Sequence, residues 1–148
     1  MTAQLLSGQP VADQVYAEIA QRIVEMRAAG VTPGLGTILV GDDGASAGYV
    51  RKKHETCEQV GLASFNIELA ADAGQQALLD AVDAFNDNPE VDGYIIQHPV
   101  PHGFDFNAAL ERMSPAKDAD GLHPTNLGKL VLQEPGPVPC TPAGIQAM

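Results

Sequence analysis

Three short apolar runs, each separated from the next by a stretch of helical period, limit this chain more than any other feature. LGTILVG, residues 35–41, is rich in β-branched residues and bounded by glycine, the mark of a buried strand. ASFNIEL, residues 63–69, has the alternation of a strand, and VDGYIIQ, residues 91–97, is a third run that ends on a polar residue. Between them lie SAGYVRKKHETCEQV, residues 46–60, closed by Gly61, and a helical pattern over 74–87 carried by Ala77, Leu78, Ala81, Val82 and Phe85. Ahead of the first strand, Val11, Val15, Ile19, Ile23 and Met26 mark one apolar face of a helix over 11–29 that Gly30 would end. Strands alternating with helices of this length imply a mainly parallel sheet covered on both faces, a three-layer α/β/α domain. After Gln97 the chain becomes proline-punctuated, and only short helical pieces fit over 107–133.

A chain of 148 residues is one domain's worth, and a domain of that size buries roughly 70% of the surface its unfolded form exposes. The formal net charge of −11 argues against nucleic acid or a membrane as partner, since both would need clustered cations. The one basic cluster, Arg51, Lys52 and Lys53, suits a small anion or a polyglutamate tail, or is simply a solvated helix face. Cys57 and Cys140 belong to no CxxC pattern, and the N-terminus has no basic segment followed by an apolar one. A reduced, cytoplasmic protein is expected.

In an open parallel sheet ligands bind beyond the carboxyl ends of the strands, here around 42–46 and 97–102. Ser46, Tyr49 and Lys53 are spaced i, i+3 and i+7, so a hydroxyl, a ring and an amine share one helix stripe, continued by Cys57 and Val60. An amine partly withdrawn from water and crowded by two cations has its charged form disfavoured, which suits a general base. The ordinary alternative is that Tyr49 caps the core and Lys53 reaches out to solvent. Gln97, at the end of an apolar strand, could orient that amine or merely cap the strand. Asp118 and Asp120 stand in a turn that Gly121 would permit. A carboxylate there could match the adjacent N–H donors of a pterin or guanine edge, or bond the local backbone instead.

None of His54, His98, His102 and His123 has the spacing of a helical metal site, so no metal is expected. GLGT opens a strand rather than following one and gives no dinucleotide fingerprint. Thr141 is placed as a helix N-cap with Pro142 at the first helical position, so the sequence would stop about two turns into a new helix, which points to a piece of a longer protein.

SAGYVRKKHETCEQVGL, DGYIIQHPVPHGFD, PAKDADGLHPTNLGKL and PCTPAG stand in the order and approximate spacing of the signature blocks of the methylenetetrahydrofolate dehydrogenase/cyclohydrolase family, which the chain therefore resembles over nearly its whole length. PGLGTILVGDD also resembles that family's second strand. The resemblance implies a folate-binding catalytic domain over 1–140 and the start of an interdomain helix over 141–148, with the NAD(P)-binding Rossmann domain missing. It implies that Lys53, in a Tyr-x-x-x-Lys pattern begun by Tyr49, is the catalytic lysine, with Gln97 holding and tuning it. Asp120 would bind the pterin edge, Tyr49 would stack along the aminobenzoyl ring, and Ser46, Ile96 and His98 would line the same pocket. Thr141 would touch the cofactor. His98 stands where the family usually has leucine.

The implied activity is oxidation of 5,10-methylenetetrahydrofolate with NADP+ (or NAD+), then hydrolysis of the methenyl product to 10-formyltetrahydrofolate, as in one-carbon metabolism and purine biosynthesis. The full enzyme would be a cytoplasmic homodimer, and this chain alone would lack dehydrogenase activity. A folate-binding module without turnover, or an α/β interaction domain, are the other readings.

Overall fold

The computed structural model describes residues 6–148, and a central three-stranded sheet organises them. In chain order the elements are α1 (Gln9–Ala28), β1 (Gly34–Val40), α2 (Gly44–Val60), β2 (Ala63–Leu69), α3 (Gly74–Asp87), β3 (Gly93–Ile96), α4 (Phe106–Arg112), a 3-10 turn (Pro115–Lys117), α5 (Pro124–Val131) and α6 (Cys140–Ala147). The strand order is β2-β1-β3 and both pairings are parallel, with Ile38 level with Ile67 on one side and Ile96 on the other. The segment 34–40 is thus the first strand among the described residues.

The topology follows from crossover handedness. From β1 the chain moves one way through α2 to β2, then back past β1 through α3 to β3. Right-handed crossovers in opposite directions place their helices on opposite faces. Strand alternation then sorts the side chains. Ile38, Val40, Tyr94 and Ile96 form the main core with Leu78, Ala81, Val82 and Phe85 of α3, while Thr37 faces α2 and reaches His54. Burying these residues removes their apolar surface from water at roughly 25 cal/mol per Å², the largest favourable contribution to a fold of this kind.

Gly36 is where the packing is closest. A Cβ there would lie 2.9 Å from both Phe85 and Tyr94, whose rings meet at 5.3 Å, so glycine is needed for that aromatic pair to sit against β1. On the other face Gly61 closes α2 as expected, at φ +89°, while its start lies at Gly44, two residues before the expected Ser46, and is capped by Asp43, which accepts from the Ser46 backbone N–H at 2.8 Å.

The helix expected over 11–29 is found as α1, and the cap expected at Thr141 needs correction. Of the apolar face read on α1, only Ile23 is buried, while Val15 and Met26 are 43% and 39% exposed. The reason is that α1 leans chiefly on α2 rather than on the sheet, so a narrow stripe suffices. At the other end, α6 starts at Cys140 with Pro139 as its cap, and Thr141 lies inside the first turn with no capping role. The short helical pieces expected after Gln97 are α4 and α5.

Candidate functional site

Lys53 leaves the middle of α2 on the side facing the sheet and donates from Nζ to Oε1 of Gln97, at 2.8 Å. Gln97 follows directly on β3, and its backbone N–H still bonds Ile38, at 2.8 Å. Its side chain therefore shares the α2 face of the sheet, and its Nε2 donates to the His98 carbonyl at 2.8 Å. Those two bonds fix which way the amide is turned: oxygen to the amine, nitrogen to the backbone.

The rotation of α2 that aims Lys53 has its own support. Thr37, 1% exposed, donates to Asn66 Oδ1 at 3.0 Å and lies 3.2 Å from His54 Nε2. The imidazole then donates from Nε2 to Thr37 and accepts at Nδ1 from the Ser64 hydroxyl. His54 and Lys53 are neighbours in sequence, so pinning one ring between β1 and β2 sets the direction of the amine beside it.

The third participant arrives from the loop after α4. Ala119 donates its N–H to the Tyr94 carbonyl at 3.2 Å, so 118–119 runs alongside the free edge of β3 and carries Asp120 two residues further towards its carboxyl end. Asp120 is half-buried. Burial pushes its carboxyl group above the ordinary carboxylate range, opposed by the nearby Lys53 ammonium. The ambiguity between the two aspartates is resolved by their partners. Asp118 is 5% exposed and accepts from Leu122 N at 3.2 Å, His123 N at 2.8 Å and Asn126 Nδ2 at 2.9 Å. It is the loop's internal anchor, and Asp120 is the carboxylate turned towards Lys53.

The loop is clamped from two more sides. Lys117 donates to the carbonyls of Phe85 and Asn88 at 2.9 and 2.8 Å, where α3 ends and its carbonyls want a cation. Gly121, at φ +67°, lies so close to 137–139 that a Cβ would come within 3.0 Å of the Val138 and Pro139 backbone. That contact brings Cys140 beside Asp120, a neighbour the sequence did not announce. Burial and the Asp120 charge both push the Cys140 thiol up.

Lys53 bonds Gln97, and Asp120 lies near enough for the Lys53 charge to act on its carboxyl group. The chain belongs to the tetrahydrofolate dehydrogenase/cyclohydrolase family. The model of that family's catalytic domain matches residues 6–120. The chain is similar over all 148 residues, at 65% identity, to the bifunctional protein FolD of Syntrophotalea carbinolica, of which it covers 51%. It is similar in structure to the bifunctional FolD enzyme of Campylobacter jejuni, with a TM-score of 0.93 at 33% identity over 97% of this chain and 51% of that one. Against the Trypanosoma brucei enzyme complexed with NADP and an inhibitor, the TM-score is 0.91 at 35% identity, over 99% and 51% of the two chains. The chain spans about half the length of the relatives it matches.

The other residues that resemblance to this family singled out lie differently. Tyr49 is at the same end of α2 and 65% exposed, its ring open to a ligand. Ser46 is 2% exposed and donates its backbone N–H to Asp43, so it serves the helix cap. Ile96 is 3% exposed inside the α3 core, and the His98 ring lies edge-on to Phe106 of α4 at 4.8 Å. Neither side chain joins Lys53, because residues on either side of Gln97 alternate to the opposite face. Thr141 lines a groove between α6 and the start of α1, with Gly8 and Val11.

The start of α2 does not fit the pyrophosphate of a dinucleotide. The start of α2, where a pyrophosphate would sit on free backbone N–H groups, is capped by the Asp43 carboxylate with Asp42 beside it. Among the described residues no three His, Cys, Asp or Glu side chains group as metal ligands, and no helix is long and apolar enough to cross a membrane.

Proposed function

We propose that this chain is the substrate-binding half of a bifunctional enzyme that oxidises 5,10-methylenetetrahydrofolate and hydrolyses the 5,10-methenyl product to 10-formyltetrahydrofolate. The observation that carries this reading is the convergence of Lys53, Gln97 and Asp120 at the carboxyl end of β3. Asp120 accepts from the adjacent N–H donors of the pterin, and the exposed Tyr49 ring lies along the aminobenzoyl group.

Hydrolysis adds water across an electron-poor amidinium carbon. Water attacks that carbon and gives one proton to the neutral Lys53 amine; the ammonium so formed gives a proton to N5 as the C–N5 bond breaks with its electron pair on N5, and the remaining hydroxyl proton leaves to solvent, so that the formyl group stays on N10. Gln97 holds Nζ on the line between water and N5 by accepting one of its hydrogens. The oxidation delivers a hydride to NADP+ or NAD+, which this half of the protein is not built to hold. That chemistry belongs to residues beyond those described, and this chain alone is without dehydrogenase activity. The same reading makes the full protein a cytoplasmic homodimer, in keeping with free Cys57 and Cys140.

The test is calorimetric titration of the folded chain with 5-formyltetrahydrofolate beside Lys53→Ala and Asp120→Ala. Saturable binding that Asp120→Ala weakens by about 1–3 kcal/mol, as expected for a charged hydrogen bond, supports the site. Equal affinity in the chain and both variants would refute it.

A further inference from the structure

Val50, Lys53, His54 and Cys57 form the stripe of α2 that meets the sheet, as the period of a helix requires. Val50 and Cys57, at its two ends, are buried and apolar. The turn between them is polar. Lys53 and His54 stand about 100° apart around the axis, so they straddle the inward line, and the strand order β2-β1-β3 gives each a different neighbour. Lys53 leans to the β3 side and donates to Gln97 at 2.8 Å. His54 leans to the other side, to Thr37 of β1 at 3.2 Å and to Ser64 of β2. Thr37 gives its own proton to Asn66, whose amide donates to Glu68 at 2.7 Å, so its oxygen is left to accept from the imidazole. The chemistry proposed above gives this histidine no part.

Apolar contact holds a helix on a sheet without fixing its rotation, because burial is non-directional, whereas a hydrogen bond is lost beyond about 3.5 Å. The Lys53 and His54 bonds pull on opposite sides of the α2 axis. Without the His54 anchor, only apolar contact and the Lys53 bond itself resist a roll of this turn. A roll of about 10° carries a side-chain end lying about 5–6 Å from the axis through about 1 Å. That takes Nζ out of reach of Gln97 Oε1, and an error of about 1 Å in a reacting group costs about 10²-fold in rate. We infer that His54 is a positioning residue for the reaction: through Thr37 and Ser64 it sets the rotation of α2 and so holds the Lys53 amine on Gln97. The inference rests on the reading of Lys53 as the proton carrier. Folate binding, which that reading gives to Asp120 and Tyr49, does not depend on His54.

The experiment measures acetylation of Lys53 relative to Lys129 of α5 in the same folded chain, by limiting acetic anhydride and peptide mass spectrometry. The ratio is expected to rise about fivefold in His54→Ala, the scale of one net hydrogen bond, because an amine released from Gln97 is freer to react. Thr37→Val, which keeps the shape and removes the acceptor, should raise it too, so either variant answers if the other fails to fold. His54→Gln, whose amide still reaches Thr37, should keep the parent ratio. Gln97→Ala should raise the ratio alone, and His54→Ala added to it should raise it no further. Gly36→Ala loosens the opposite face of the sheet and controls for lost stability; its ratio should match the parent's. An unchanged ratio in the folded variants, an equal rise in Gly36→Ala, or additive effects of His54→Ala and Gln97→Ala overturns the positioning role and leaves the folate reading intact. Affinity for 5-formyltetrahydrofolate should stay within about twofold in His54→Ala, and a larger loss also overturns the role, since His54 would then serve binding. If the folded parent chain binds no folate, the folate reading falls, and the reaction that His54 would serve falls with it.

Discussion

Asp118 and Asp120 are two residues apart, yet their removal should have opposite consequences. Asp118 is 5% exposed and takes hydrogen bonds from two backbone N–H groups and the Asn126 amide, at 3.2, 2.8 and 2.9 Å. Asp118→Ala leaves all three donors without their acceptor, in a region where Asn126 itself is 1% exposed. Each unmet buried donor costs about 1–3 kcal/mol, and water entering a loosened loop recovers part of that, so a loss of about 3–5 kcal/mol is expected. That is a large fraction of the roughly 5–15 kcal/mol by which a domain is stable. Asp120 has the reverse balance: burial raises its carboxyl group's pKa, which means that the folded state holds the charge at a cost. Asp120→Ala should leave stability within about 0.5 kcal/mol or raise it, and should lose folate affinity. Urea denaturation followed by circular dichroism at pH 7 gives the first quantity for both variants, and titration with 5-formyltetrahydrofolate gives the second. A loss below about 1 kcal/mol for Asp118→Ala, or a larger loss for Asp120→Ala than for Asp118→Ala, would show that the two roles have been assigned the wrong way round.

Three further expectations follow from the same geometry. Gly36→Ala forces a methyl group to 2.9 Å from Phe85 and Tyr94, and should lower stability by about 1–3 kcal/mol in thermal or urea unfolding. Asp120→Asn should be more stable than the parent chain at pH 7. Because the folded carboxyl group is raised above the ordinary aspartate value of 3.8, the folded state binds more protons in the window above that value, so the cost of the charge grows as pH rises through the window and is absent below it. The stability difference between the two proteins should therefore close as the pH falls below 3.8; a constant difference would mean that the charge is not its cause. Gln97→Ala removes the acceptor of the Lys53 ammonium and should slow any methenyl hydrolysis by about 10²-fold or more, the lower end of what a positioned proton carrier contributes, read as loss of the substrate chromophore.

Much of this arrangement is legible in the sequence because it depends on periods. The helix over 74–87 is read off its apolar spacing and found at the same bounds, and the stripe Ser46–Tyr49–Lys53 predicts that an amine faces the sheet. The same arithmetic, carried one step further, places the side chains of Ile96 and His98 on the α3 side of the sheet, away from Lys53. What periods do not give is contact between distant segments. Cys140 reaches Asp120 only because Gly121 nests against 137–139, and nothing local in PCTP signals it. The choice between Asp118 and Asp120 was open for a similar reason. Both can make an Asx-type turn, and the bond from Ala119 to Tyr94 decides which of them is spent on the backbone.

The charge at the start of α2 explains why this fold, with a crevice at the place where related sheets cradle phosphates, can serve an amine instead. A helix N-terminus attracts anions through its free N–H groups and its dipole. Here Asp43 supplies that anion from within the chain, accepting at 2.8 Å from Ser46, and the bond to the Ser46 backbone holds the Asp43 carboxyl group below its ordinary range. With the positive end of the helix already answered, the crevice favours cations and neutral donors over phosphate. Lys53, two turns further along, then acts near Asp120 without a bound phosphate competing for its charge. Removing the cap by Asp43→Ala would uncover those N–H groups. Weak phosphate binding should appear in the variant, detectable by phosphorus NMR, and be absent from the parent chain. If phosphate binds neither protein, or binds both alike, the cap is not what keeps anions out of the crevice.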